Sequence, residues 1–99
     1  MTGNRARRTI VAYDIPDDRR RNAVAHILEG FGDRVQYSVF IVDATAAGLL
    51  RLQGELTGVL DLASDSVLLC DLGPVGGSSA SLRWVGRDRV VTSRESFIV

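Results

Sequence analysis

The order of apolar runs and polar breaks along the chain predicts most of its elements. Thr9-Ile10-Val11-Ala12-Tyr13 is β-branched and aromatic and reads as a buried strand ending at Asp14. Pro16-Asp17-Asp18 then supplies helix-start chemistry, with acids at the positive end of a helix dipole. Val24, Ile27, Leu28 and Phe31 follow at helical spacing, and Gly30 and Gly32 stop the helix. Arg34 to Asp43 reads as one long strand, and its unbroken run Val39-Phe40-Ile41-Val42 predicts burial on both faces. Asp43 or Thr45 can cap a second helix with the apolar set Leu49, Leu52, Leu56, Val59 and Leu60. Gly48, Gly54 and Gly58 each weaken that helix by up to about 1 kcal/mol relative to Ala, so it depends on packing. Ser66 to Leu72 is the next strand, closed by Gly73-Pro74. Gly76-Gly77-Ser78-Ser79 is a flexible break, and Leu82 to Val85 and Arg89 to Thr92 read as two short strands around Gly86.

Strand, helix, strand region, helix, strand is the order of a ferredoxin-like βαββαβ sandwich of the α+β class, provided that Arg34 to Asp43 divides into two strands. Gln36-Tyr37-Ser38 carries no conventional turn signal for that division. The predicted organisation is an N-terminal tail over residues 1–8, a core domain over 9–74, and a C-terminal region over 75–99 with an additional strand. Ninety-nine residues make one domain that buries roughly 60–65% of its unfolded surface, so self-association would add to its stability. The apolar runs are four residues long, against the ~20 that cross a bilayer. Met1 to Arg8 leads into too short an apolar stretch to act as a secretory signal, so a cytoplasmic protein with no membrane association is expected. With Cys70 and His26 as the only residues of their types, one chain can form neither a disulfide nor a zinc finger.

Charge changes the picture, because all twelve basic residues are Arg and they are unevenly placed. Residues 1–34 hold seven Arg against five acids, 35–74 one against five, and 75–99 four against two. The two ends are positive and the middle negative. Arg presents a planar fork suited to phosphate, which makes the basic ends candidate nucleic-acid surfaces, although a proteome-wide bias of Arg over Lys gives the same composition.

Asp14 is the candidate for chemistry, since ligand-binding residues gather at strand ends on open sheets, where a lone Asp also serves as a cap or turn former. Protein-bound Mg²⁺ takes one or two carboxylates with waters and substrate phosphates, and a two-fold homodimer would bring a second Asp14 to the same place. Arg19, Arg20 and Arg21 lie in the first turns of the first helix against its dipole, either as a solvated face with Asp17, Asp18 and Glu29 or as a polyanion site. His26 reads as a surface residue and Cys70 as a small buried hydrophobe. Trp84 and Phe97 suit packing on a partner's sheet or stacking on bases. Tyr37, Ser38 and Phe40 line a phosphate site, or Phe40 is plain core.

Tyr13-Asp14-Ile15-Pro16-Asp17-Asp18-Arg19-Arg20-Arg21, followed by Gly32-Asp33-Arg34-Val35-Gln36-Tyr37-Ser38-Val39-Phe40, resembles the CRISPR-associated protein 2 family. The likeness covers residues 9–74 and weakens through the Gly/Ser stretch, with Arg89 to Thr92 resembling the family's final strand. It implies a ferredoxin-like homodimer in which each C-terminal strand adds to the partner's sheet. It also implies a place in the spacer-acquisition machinery of antiviral defence, beside the integrase, CRISPR-associated protein 1. By the same resemblance Asp14 would bind Mg²⁺, or Mn²⁺, between subunits and help activate water. Arg21 and Arg34 would hold phosphate, with Tyr13, Ser38 and Phe40 around the site. The pattern departs at Ala23, where some relatives carry a basic residue.

Three functions compete on these grounds. The first is a metal-dependent endonuclease that hydrolyses phosphodiester bonds in RNA or double-stranded DNA. The second is a non-catalytic scaffold that binds duplex DNA by its backbone and bridges integrase dimers. A ferredoxin-like module for a small ligand or protein is the third.

Overall fold

The computed structural model describes residues 5–78 and 81–89. Its elements are β1 (Arg7–Asp14), α1 (Asp18–Glu29), β2 (Gly32–Gln36), β3 (Val39–Ala44), α2 (Ala46–Thr57), β4 (Ser66–Pro74) and a single turn of helix, α3 (Val75–Ser78). The four strands form one antiparallel sheet in the order β2-β3-β1-β4, the βαββαβ arrangement expected from the sequence. β1 starts at Arg7, two residues before the apolar run, because Arg7 and Arg8 still pair with Ala44 and Asp43 on β3.

One face of the sheet carries α1 and α2. Alternation along β1 and β3 sends Val11, Tyr13, Phe40, Val42 and Ala44 to that side, where they meet Val24, Leu28, Leu52 and Leu56 from the helices. Phe40, Leu28, Leu52, Val11, Val24 and Val42 are completely buried. The expected burial of β3 on both faces holds, since Ile41 and Asp43 on its other side are buried as well.

The division of residues 34–43 falls at Tyr37-Ser38, a two-residue connection between β2 and β3. Two-residue hairpins usually need positive φ and so advertise themselves with Gly or Asn. Among the described residues only glycines have positive φ, so this turn uses ordinary backbone. A register shift between Arg34 and Gln36 takes up the difference in twist. A turn closed by a bulge leaves no Gly signal, which is why the segment reads as one strand.

Gly32 belongs to β2 and does not stop α1, which ends at Glu29 with Gly30 as its C-cap. A Cβ at Gly32 would press into the Ile41 carbonyl oxygen and come within 3.0 Å of Val42 Cα, so only glycine allows β2 to lie this close to β3. α1 is capped by Asp17, whose carboxylate accepts from the Arg20 amide at 2.9 Å, and α2 by Thr45, whose hydroxyl accepts from Gly48 N at 3.1 Å. Phe31, Val59 and Leu60 lie beyond the helix ends but still pack on the core.

The C-terminal expectations fare differently. The predicted break at Gly76-Gly77 is helical, within α3, and Leu82 to Val85 forms no strand. Instead Leu82 and Trp84, with Ile10, Val35, Val39 and Ile41, line a groove of about 560 Å³ on the sheet face opposite the helices, with the fully exposed Val85 at its rim. The predicted strand at Arg89 to Thr92 and the aromatic Phe97 lie outside the described residues, Arg89 itself excepted, which is not in a strand. Cys70 is exposed rather than buried, because it sits on the outer strand β4.

Three long-range ion pairs join the elements. Arg8 and Asp43 face each other across β1 and β3 with bonds of 2.8 and 2.9 Å, and both side chains are buried. Arg7 bonds Asp71 on β4 at 2.8 Å in an exposed pair. Arg20 ties the first turn of α1 to the entrance of β4 through Asp65, at 2.7 and 3.1 Å. The Arg20 guanidinium, helped by the Asp61 amide, holds the Asp65 carboxyl below the ordinary carboxylate range despite its enclosure.

Two predictions follow from this packing. Gly32→Ala should lower the free energy of unfolding by about 1–3 kcal/mol, the usual effect of an overpacked contact that only backbone movement relieves, as read by chemical denaturation. The stability that Asp65 contributes is present above its unfolded-state pKa and is lost as pH falls through its depressed folded value. Thermal melts of Asp65→Asn should therefore lie below wild type near neutrality and converge with it in acid.

Candidate functional site

One end of the sheet gathers the C-terminus of β1, the β2–β3 turn, the start of β4 and the N-terminus of α1. The backbone there is fixed by the Tyr13 amide, which donates to the Ser38 carbonyl at 3.1 Å and continues the β1–β3 ladder into the turn. The next carbonyl back, that of Tyr37, is a point of convergence. Arg34 donates to it through Nε at 3.0 Å and Nη2 at 2.7 Å, and the Tyr13 hydroxyl donates to it at 3.3 Å. That hydroxyl in turn accepts from Arg34 Nη2 at 3.3 Å, closing a ring of contacts between β1, β2 and the turn.

Aromatic faces complete the cradle. The Arg34 guanidinium lies 5.5 Å from the centroid of Phe40, its cross-strand partner, and 5.6 Å from that of Tyr37. Tyr13 and Phe40 are tilted neighbours with centroids 6.3 Å apart. Phe40 is thus a fully buried core residue whose ring also faces the Arg34 guanidinium. Of the five N–H donors of Arg34, those on Nε and Nη2 point at neutral oxygens, and Nη1 has no hydrogen-bond partner among the described residues. No carboxylate pairs with Arg34 there either, so its charge is uncompensated and a pair of donors is available at an exposed position.

The arginines of α1 part company. Arg20 is committed to Asp65 and Asp17. Arg21 donates to the Ile15 carbonyl at 2.9 Å and pairs with Asp18, fastening the β1–α1 connection. Its guanidinium is held above its ordinary pKa first by the bond to Asp18. Arg19 is exposed and belongs to none of the ion pairs of the described residues. The triple run that seemed to oppose the helix dipole is therefore two paired arginines and one cation with no ion-pair partner among the described residues.

Asp14 ends β1, exposed, opposite Ser66 of β4. Strand alternation puts its side chain on the face away from the helices, the reverse of Tyr13. Its carboxylate has neither a hydrogen-bond donor nor a cation partner among the described residues. The described residues contain no cluster of three metal-ligating side chains. A single free carboxylate at a rim nonetheless suits Mg²⁺, which commonly binds one or two carboxylates and keeps its waters. The structure thus brings together Tyr13, Arg34, Phe40 and the Ser38 carbonyl, while Arg21 is engaged by the Ile15 carbonyl and Asp18. Asp14 adjoins them across the strand, and Arg19 and Arg20 stand apart. The Tyr37 carbonyl, the Arg20–Asp65 pair and the Arg8–Asp43 pair were not visible in the sequence; only the strand register locates the last of them.

Comparison with known proteins agrees with this geometry. A family model described as CRISPR associated protein Cas2 matches residues 7–74. A Synechocystis protein named CRISPR-associated endoribonuclease Cas2 3 is 47% identical over 58 residues, which span 59% of this chain and 63% of the relative. The CRISPR-associated endoribonuclease Cas2 of Thermus thermophilus is 42% identical over 65 residues, 66% of this chain and 69% of that one. A crystal structure of a hypothetical protein from Thermus thermophilus superposes with a TM-score of 0.75 at 34% identity, covering 88% of this chain and 99% of that one. No helix of the described residues is long and apolar enough to cross a membrane. With 68 consecutive residues from β1 to β4 matched by the family model, the chain belongs to the Cas2 family.

Proposed function

We propose that the chain is an endonuclease of the CRISPR adaptation module, hydrolysing phosphodiester bonds of RNA or double-stranded DNA at the end of its sheet. The observation that carries this is Arg34, a guanidinium held rigid by one carbonyl, one phenol and two rings, with no carboxylate partner and no acceptor at Nη1 among the described residues. An unneutralised guanidinium with free N–H donors suits phosphate oxygen. The names of the relatives support the activity, as endoribonucleases of the same family.

In this reading Arg34 binds and orients the phosphate while Tyr13 keeps the guanidinium in place, and Asp14 on the adjoining rim would hold Mg²⁺ or Mn²⁺. A metal ion so bound lowers the pKa of water and stabilises charge on phosphoryl oxygens. One carboxylate per chain is a sparse site, and a homodimer answers this. Asp14 shares its sheet face with Ile10 and Ala12, which register opposite Cys70 and Leu68 of β4; Leu68 is 61% exposed. A second copy packed on that apolar face in two-fold fashion would bring the two Asp14 side chains together. The same dimer is the unit that would meet the CRISPR-associated protein 1 integrase.

The second reading, a DNA-binding scaffold without cleavage, is favoured by the lack of any cluster of three metal-ligating side chains among the described residues and by Ala23, where no basic group supports Arg21. The two readings separate on Asp14. Wild type and Asp14→Asn are incubated with single-stranded RNA and double-stranded DNA, with Mg²⁺, with Mn²⁺ and with chelator, and the dimer mass is checked in each preparation. Nuclease action predicts metal-dependent cutting that falls roughly 10²-fold or more in Asp14→Asn, with the mass unchanged. Equal cutting by both proteins, or none by a folded dimer, contradicts it, and the latter leaves the scaffold. Arg34→Ala should weaken nucleic-acid binding at every sequence alike and reduce the slope of log affinity against log salt by about one, measured by fluorescence anisotropy.

A further inference from the structure

The site contains one side chain that neither hydrolysis nor phosphate binding uses. Tyr37 sits at the tip of the β2–β3 turn with 72% of its surface exposed, the most exposed aromatic among the described residues. Its ring stands beside the Arg34 guanidinium, which has no carboxylate partner among the described residues, so an aromatic face and an unneutralised cation are offered together to solvent. Two contacts hold Tyr37 in place. Its carbonyl receives Arg34 and Tyr13, and its ring carries the Arg34 guanidinium over one face. The turn is therefore presented already ordered, with little entropy left to lose on binding. The free Nη1 donors of Arg34 lie on the same ring, so whatever covers Tyr37 carries an anion close by.

We infer that Tyr37 is a stacking platform for an unpaired nucleobase whose own or neighbouring phosphate is held by Arg34. Aromatic stacking beside a guanidinium is how proteins take hold of single strands, since each base offers a π-face that a duplex hides between its neighbours. A planar base fits the open side of the ring, and the arginine already closes the other. Tyr37 thereby selects single-stranded over paired nucleic acid at this end of the sheet. The inference rests on the sheet end being a nucleic-acid site, and its test separates the two.

The experiment uses the full chain and two probes of one sequence: a single-stranded oligoribonucleotide bearing 2-aminopurine, and the blunt duplex containing it. Replacing the Tyr37 side chain removes the ring over Arg34 but leaves the carbonyl contacts of the turn, and Tyr13 and Phe40 still hold the guanidinium. Tyr37→Leu should weaken the single strand roughly 5- to 100-fold, the range set by base–aromatic stacking, and abolish the quenching of 2-aminopurine on binding. Duplex affinity should stay within twofold of wild type. Tyr37→Phe keeps the ring and should keep both affinity and quenching. Unchanged single-strand binding by Tyr37→Leu, or equal loss on both probes, overturns the assignment and leaves the ring to a protein partner. If wild type binds neither probe and Arg34→Ala changes nothing, the nucleic-acid reading itself fails and the assignment falls with it.

Discussion

A single carbonyl oxygen, that of Tyr37, sets the geometry on which the site depends. Two N–H groups from β2 and a hydroxyl from β1 converge on it, at a turn whose backbone has no conformational help from glycine. The bulge between Arg34 and Gln36 is what points Arg34 back toward the turn, and Gly32 is what lets β2 lie close enough to β3 for the bulge to form there. Arg34 is thus placed by sheet packing, and its charge is left unneutralised among the described residues because the groups that hold it are neutral.

Neutralisation elsewhere sharpens that contrast. Arg7, Arg8, Arg20 and Arg21 each face a carboxylate of this chain, and these pairs join β1 to β4, β1 to β3, and α1 to the start of β4 and to its own first turn. Exposed pairs of this kind add little stability, and the buried Arg8–Asp43 pair acts mainly by penalising any register that parts the two. The basic N-terminal third is therefore largely spent on holding the fold together. A count of arginines overstates the surface that can meet a polyanion, whereas Arg34 and Arg19 retain it.

Much of this was legible in the chain. The alternation in residues 9–13, the capped helix after Pro16 and the apolar set of α2 predicted the order of elements, and the paired signatures at Tyr13 to Arg21 and Gly32 to Phe40 carried the family likeness. Two features were hidden for physical reasons. The β2–β3 turn lacks a glycine because a bulge does the work of a primed turn, so periodicity runs straight through it. The partners of Arg20 and Arg8 lie 45 and 35 residues away; the sheet register brings Asp43 opposite Arg8, and the seating of α1 beside the entrance of β4 brings Asp65 to Arg20. Gly32 read as a helix stop because a glycine demanded by close backbone approach looks the same in sequence as one that ends a helix.

The central claim is that phosphate and metal meet at the end of the sheet, Arg34 on one rim and Asp14 on the other. Anomalous diffraction from crystals grown with Mn²⁺ and a phosphorothioate-substituted, cleavage-resistant RNA tests it directly. The account predicts a manganese peak on the Asp14 carboxylate and a sulfur-marked phosphate at Arg34 Nη1. Manganese and phosphate bound together elsewhere on the chain, with Asp14 and Arg34 free, would contradict it.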